Sequence, residues 1–151
     1  MCDIRQRSVY AVHVKPDELI PHRPPFLLVD EIFDIVPGKS GKGVWQLTGD
    51  EDFFRGHFPG RPMVPGVLQV ESLAQLGGCV ILADDGYTGK LPLFGGIDRA
   101  RFRRQVLPGD RLDLEIVIDN LRARSGKGRG TASVDGVVTT EVEFMFIIAD
   151  T

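Results

Sequence analysis

The sequence predicts an α+β domain in which an antiparallel sheet wraps one long central helix. Three observations carry this. The stretch Val67 to Ala83 is apolar over most of a helical circumference, with Glu71 as its only charge. The chain after it is rich in strand patterns, most clearly at Arg111 to Asn120, where Leu112, Leu114, Ile116 and Ile118 alternate with Asp113, Glu115 and Asp119. A helix apolar on most of its surface also has to be enclosed, and a curved sheet can enclose it.

Taken in order, the first fifteen residues form an N-terminal extension with weak alternation from Val9 to Val14, enough for a short strand at most. Pro16 to Ile20 is expected to make one helical turn before Pro21, Pro24 and Pro25 stop it. Phe26 to Asp30 and Ile32 to Val36 read as one strand ended by Pro37-Gly38, with Gly41 to Thr48 as its hairpin partner. The segment Gly56 to Gly66 is a loop stiffened by Pro59, Pro62 and Pro65. On the helix that follows, Glu71, Ser72 and Gln75 share one sector, opposite Val70, Leu73, Ala74, Val80 and Ile81. Gly77-Gly78 costs about 1 kcal/mol of helix propensity at each residue, which is tolerable in a buried helix where another backbone or a ligand must approach closely. Leu91 to Ile97 and Ala100 to Val106 are β-like, and Pro108-Gly109-Asp110 is a turn. Ser125 to Gly130 reads as a hairpin connection, since it lacks the strand-to-helix context of a phosphate loop. Thr131 to Val134 and Val137 to Ala149 complete the sheet.

Composition narrows the function. The 151 residues fit a single domain covering 1–151, with no internal repeat and no linker. A formal net charge of −3 argues against a nucleic-acid binder, so an acidic partner would have to meet a local basic patch. The N-terminus has scattered charges and no apolar core, unlike a signal peptide. The apolar run is too short and too interrupted to span a membrane. Cys2 and Cys79 form no disulfide framework, and Cys79 reads as a small buried hydrophobe. These features point to the cytoplasm. His13, His22 and His57 are far apart, and no metal-ligand spacing occurs.

The stretch Gly56 to Ala83 sets a histidine, a rigid loop, a helix N-terminus and a lone carboxylate side by side. Within it, His57 reads either as an ordinary loop histidine or as an acid/base group, and Glu71 either as a solvated helix residue or as a second catalytic group. PHRPPFLLVDEI (21–32), GHFPGRPMVPGVLQVESLAQLGG (56–78), FGGIDRARFRRQVLPGD (94–110) and EVEFMFIIA (141–149) together resemble the 3-hydroxyacyl-[acyl-carrier-protein] dehydratases of fatty-acid synthesis, FabZ type. The resemblance covers most of the chain from about residue 18, in order.

The resemblance implies a hot-dog fold, dimers commonly assembled into hexamers as trimers of dimers, and no cofactor or metal. It implies dehydration of (3R)-hydroxyacyl thioesters on an acyl carrier protein to trans-2-enoyl thioesters. It makes His57 and Glu71 the catalytic pair, with the histidine of one subunit facing the carboxylate of the other, so that one chain alone would be inactive. A histidine can take a proton at neutral pH, and Glu71 would help the hydroxyl leave, as an acid or by holding a water. The N–H groups of Gly66 and Val67 would meet the thioester oxygen at the positive end of the helix. Phe26 and Phe58 are candidates to line the acyl tunnel. Arg101, Arg103 and Arg104 form a basic cluster suited to docking the acidic carrier protein. His22 and Arg23 are read as structural, packing the entry to the first strand. The chain departs from the family pattern at Leu93, where relatives often carry an aromatic residue linked to tunnel gating, so no gate is carried over. Bifunctional dehydratase/isomerases usually have aspartate at the position of Glu71. A hot-dog acyl thioesterase, which also uses a helical carboxylate, and a non-catalytic acyl-binding module are the alternatives.

Overall fold

The computed structural model describes residues 14–151. The expected strand upstream of Val14 and the readings of Cys2 and His13 lie outside the described residues. Val14 itself makes an isolated bridge with Ile32. The elements are β1 (Glu31–Val36), β2 (Ser40–Gln46), α1 (Gly66–Leu82), β3 (Lys90–Phe102), β4 (Arg111–Leu121), β5 (Ser125–Val134) and β6 (Val137–Asp150), with single 3-10 turns at Pro16–Glu18, Asp52–Arg55 and Asp85–Tyr87. The strands form one antiparallel six-stranded sheet in the order β1-β2-β4-β5-β6-β3. Helix α1 touches all six strands. This is the hot-dog arrangement.

The alternation expected in β4 holds: Leu112, Leu114, Ile116 and Ile118 are buried against the helix. On α1 every residue from Gln69 to Ile81 is buried except Glu71. The polar sector expected on this helix is therefore narrower than its pattern suggests, because Ser72 and Gln75 are enclosed with the apolar residues. Burying a glutamine costs free energy unless its amide is satisfied. Gln69 Oε1 accepts from Thr139 Oγ1 at 2.9 Å and from Thr140 Oγ1 at 2.6 Å, tying the helix to β6.

Three expectations are corrected. Phe26 to Asp30 is not strand: β1 begins only at Glu31. The side chain of Gln75 takes the place of a neighbouring strand there, accepting from Leu28 N–H and donating to Phe26 C=O, each at 2.8 Å. Ser125 to Gly130 is not a hairpin connection but the first half of β5. Its glycines at 126, 128 and 130 are buried: side chains and backbone of the flanking strands crowd the first two, and the helix joins them at Gly130. A Cβ on Gly130 would stand 2.8 Å from Ile116 Cδ1 and 3.2 Å from Leu73 Cδ2. Lastly, β3 ends at Phe102, so Arg103 to Val106 continue as irregular chain. Gly77 is approached closely, but by a side chain and not by a backbone or ligand, since a Cβ there would lie 2.8 Å from the Phe146 ring.

Cys79 is fully enclosed, and burial pushes its thiol up to about 12. Thiolate is the reactive form, so the residue should be inert in the folded protein. In a Cys2→Ser background, a thiol reagent at pH 8 should label nothing until denaturant is added. Labelling of the native protein at the rate of a free peptide would contradict the packing.

Candidate active site

The loop before α1 is held by its own backbone. His57 N–H donates to Phe53 C=O at 2.9 Å, Met63 N–H to His57 C=O at 2.9 Å, and Phe58 and Arg61 exchange two hydrogen bonds at 3.1 and 2.9 Å. Val64 N–H reaches Val106 C=O at 2.8 Å, fixing the loop to the segment after β3. Within this frame His57 Nδ1 lies 3.0 Å from Met63 C=O. A carbonyl oxygen can only accept, so the ring proton belongs on Nδ1 and the lone pair on Nε2. The other ring nitrogen is thereby prepared as a base. Phe58 stacks on the imidazole, with ring centroids 4.1 Å apart.

Pro65 caps α1 without a side-chain hydrogen bond. Leu68 and Gln69 N–H both point to Pro65 C=O, whereas Gly66 and Val67 N–H have no acceptor among the described residues. Two donors are thus left open at the positive end of a helix dipole. The absence of a side chain at residue 66 matters, because a Cβ there would lie 2.7 Å from the Phe102 ring. Any substituent would disturb the helix start and the end of β3 together.

Glu71 stands at the mouth of a cleft of about 440 Å³, lined mainly by apolar side chains that include Ile20, Leu93, Phe94 and Phe146. Its side chain is 19% exposed. Oε1 accepts from Gln75 Nε2 at 3.0 Å, and Gln75 is itself fixed by Leu28 and Phe26. His22 Nε2 lies 3.6 Å from the same carboxylate oxygen.

The structure therefore pairs His57 with Phe58 and Met63 in the loop, leaves the Gly66 and Val67 donors open at the helix start, and sets Glu71 in the cleft. Among the described residues no hydrogen bond or ion pair joins His57 to Glu71 in one chain, and His57 is not part of the cleft lining. The described residues hold no cluster of ligating side chains suited to a metal.

Comparison with known proteins supplies what the geometry alone does not. The model of the FabA-like domain matches residues 20–143. The chain belongs to this family. A 3-hydroxyacyl-[acyl-carrier-protein] dehydratase FabZ from Herpetosiphon aurantiacus is 53% identical over 132 residues, covering 87% of this chain and 94% of the relative. The FabZ dehydratase of Bacillus subtilis is 50% identical over 133 residues, covering 88% and 94%. Among solved structures, a virulence protein from Campylobacter jejuni superposes with a TM-score of 0.67 at 13% identity, covering 90% of this chain and 89% of that one. The dehydratase heterocomplex ApeI:P from Xenorhabdus doucetiae gives 0.59 at 22% identity, covering 73% and 88%. At these identities the structural likeness concerns the fold.

In this FabA-like domain Phe26 and the arginines fall outside the cleft. Phe26 is half-exposed and contributes its backbone C=O to Gln75. Arg101, Arg103 and Arg104 are exposed around the end of β3. Arg103 Nε pairs with Glu141 at 2.7 Å, while Arg101 makes only a 3.3 Å contact with Ala100 C=O. Arg104 has no side-chain partner among the described residues. Arg23 is structural as expected: its guanidinium donates to Ile20 and His22 C=O at 3.0 and 2.7 Å. His22 was read as structural too, yet it lies in the cleft beside Glu71. Gln75 went unnoticed as part of the site, although its i,i+4 spacing from Glu71 on a helix was a usable signal.

Proposed function

We infer that this protein is a 3-hydroxyacyl-[acyl-carrier-protein] dehydratase of fatty-acid biosynthesis, a hydro-lyase. The observation that carries this is identity of about half the residues, over nearly the whole length, with FabZ dehydratases from several bacteria. The (3R)-hydroxyacyl thioester binds with its carbonyl oxygen against Gly66 N–H and Val67 N–H. His57 Nε2 removes the proton from C2, and the developing enolate is stabilised by those amides and the helix dipole. The C3–O bond then breaks, C2=C3 forms, and the hydroxyl leaves as water with a proton. Glu71 assists that departure, either by donating the proton or by holding a water in place. No metal or cofactor takes part.

The base lies near the start of the loop and the open donors at its end, whereas Glu71 lines the apolar cleft. A second copy supplies the missing half. Strand β3 is the edge of the sheet and exposes Leu93, Phe94 and Ile97, and an exposed apolar edge strand invites pairing. The functional unit is thus a homodimer, with His57 of each subunit facing the partner's carboxylate, and three dimers build a hexamer. Phe58 and Phe26 border the entrance for the acyl chain. The enzyme works in the cytoplasm without contact to membrane or nucleic acid. No helix among the described residues is long and apolar enough to cross a bilayer.

Arg101, Arg103 and Arg104 dock the acidic carrier protein, whose phosphopantetheine arm then reaches the helix start. Since Arg103 is already engaged by Glu141, Arg101→Glu with Arg104→Glu is the cleaner test. With carrier-bound substrate kcat/KM should fall about tenfold or more, as expected when surface steering is reversed, while a short pantetheine thioester loses little. Equal losses on both substrates would exclude docking at this patch. The reading as a whole is tested by incubating the protein with a 3-hydroxyacyl thioester and measuring enoyl product and free thiol. Enoyl thioester without thiol release is the expected result. Thiol release would indicate a thioesterase, and intact substrate from folded protein would overturn the assignment.

A further inference from the structure

We propose that His22 is a positioning residue for Glu71, holding the carboxylate together with Gln75. The proposal rests on the dehydratase reading and extends it to a residue outside the catalytic pair. Three observations on independent atoms support it. Nε2 of His22 lies 3.6 Å from Glu71 Oε1, the oxygen that also accepts from Gln75 at 3.0 Å. Nδ1 of the same ring is buried and has no hydrogen-bond partner among the described residues. The backbone that carries the ring is clamped, because Arg23 donates to the carbonyls of Ile20 and His22.

The second observation determines which nitrogen carries the proton. A buried N–H with no acceptor is among the rarest features of folded proteins, whereas an under-satisfied acceptor is better tolerated. With Nδ1 unpartnered, the proton belongs on Nε2, where it points at Glu71. The separation is a few tenths of an ångström beyond hydrogen-bond range, and contacts of this kind tighten when substrate fills a site. His22 and Gln75 then converge on Oε1, leaving Oε2 as the oxygen that faces the reacting group. Neither residue needs to touch substrate to do this. A carboxylate held by one donor can rotate about its terminal bond, and one held by two cannot do so freely.

The structural reading, that His22 only fills space beside the first strand, predicts something different. Phenylalanine would then replace it well, since it keeps the ring and loses only the polar atoms. The test is a comparison of His22→Phe, His22→Leu and His22→Gln with the wild-type homo-oligomer on one 3-hydroxyacyl thioester. Glutamine places an N–H near the position of Nε2, and phenylalanine and leucine place none. The expected pattern is a fall in kcat of about tenfold to a hundredfold in the phenylalanine variant, with KM within about twofold, and recovery of most of the rate in the glutamine variant. A phenylalanine variant with wild-type kcat would overturn the proposal, and so would equal losses in the phenylalanine and glutamine variants. If the phenylalanine variant does not fold, the leucine variant is compared with the glutamine variant by the same criteria. Turnover by the wild-type protein tests the dehydratase reading separately, because it does not depend on the ranking of the variants.

Discussion

Mixing two inactive variants should restore activity. His57→Ala removes the base and should lower kcat by about 10² to 10⁴-fold, the usual contribution of a positioned acid/base group. Glu71→Ala should do comparable damage to the departure of the hydroxyl. If each site joins His57 of one subunit to Glu71 of the other, a dimer of one His57→Ala chain and one Glu71→Ala chain has one site lacking both groups and one site intact. Random reassortment of equal amounts makes half of the dimers mixed, so about a quarter of all sites become functional in a symmetric two-fold assembly. Sites complete within one chain would recover nothing, because every chain in the mixture carries a lesion. The measurement is the rate of enoyl formation after co-expression of the two variants with different tags, compared with each variant alone. Recovery near a quarter of the wild-type rate establishes sharing. A rate no higher than that of the separate variants refutes it. In the single chain, the cleft is lined at one side by Glu71, and His57 is absent from its walls.

How much of this was legible in the sequence depended on whether the signal was local. The helix expected at Val67 to Ala83 runs Gly66–Leu82, because a mostly apolar run free of proline, bounded by Pro65 before and Asp84-Asp85-Gly86 after, has one regular solution. Strand β4 was equally plain from its alternation. The misreadings share a cause. Phe26 to Asp30 has strand-like composition, but Leu28 N–H and Phe26 C=O pair with the side chain of Gln75, 47 residues away for Leu28, and composition does not report such a partner. Glycine in Ser125 to Gly130 suggests a turn by composition, but marks inner strand positions crowded by the flanking strands and, at Gly130, by Leu73 of the helix. In the candidate site, His57, Glu71 and the glycine at the helix start were legible because they lie within one short stretch. The relation of His22 to Glu71 was not, since it forms only when the proline-rich segment folds back over the helix.

Placing a side chain on the inner face of β5 should be among the most destabilising single changes that this protein can suffer. Gly130 is buried at the centre of the sheet, opposite Ile116 on β4 and Val142 on β6. An added Cβ would come within 2.8 Å of Ile116 Cδ1 and 3.2 Å of Leu73 Cδ2. Leu73 and Ile116 are both essentially inaccessible to solvent, so neither can swing outward to make room. Overpacking of this kind costs about 1–3 kcal/mol. Alanine at residue 130 should fall at the low end of that range, because the tips of two side chains can shift slightly. Valine adds two methyl groups in the same space and should reach the upper end, despite being the better strand former. For a chain of this size, the range of about 1–3 kcal/mol corresponds to a fall in Tm of about 2–12 °C. The control is Gly136→Ala: no atom lies within 4 Å of a Cβ there, but the residue has φ of +78°, so its cost is backbone strain alone. The loss at Gly130 should grow from alanine to valine, because it is governed by volume. A Gly130→Val protein as stable as the wild type would mean that the helix and sheet are not packed as closely as this geometry requires. It would also remove the physical reason for a glycine at residue 130. The same close approach fixes the height of α1 above the sheet. A shift of the helix to admit valine would displace Glu71, so activity should fall further than the loss of folded protein explains.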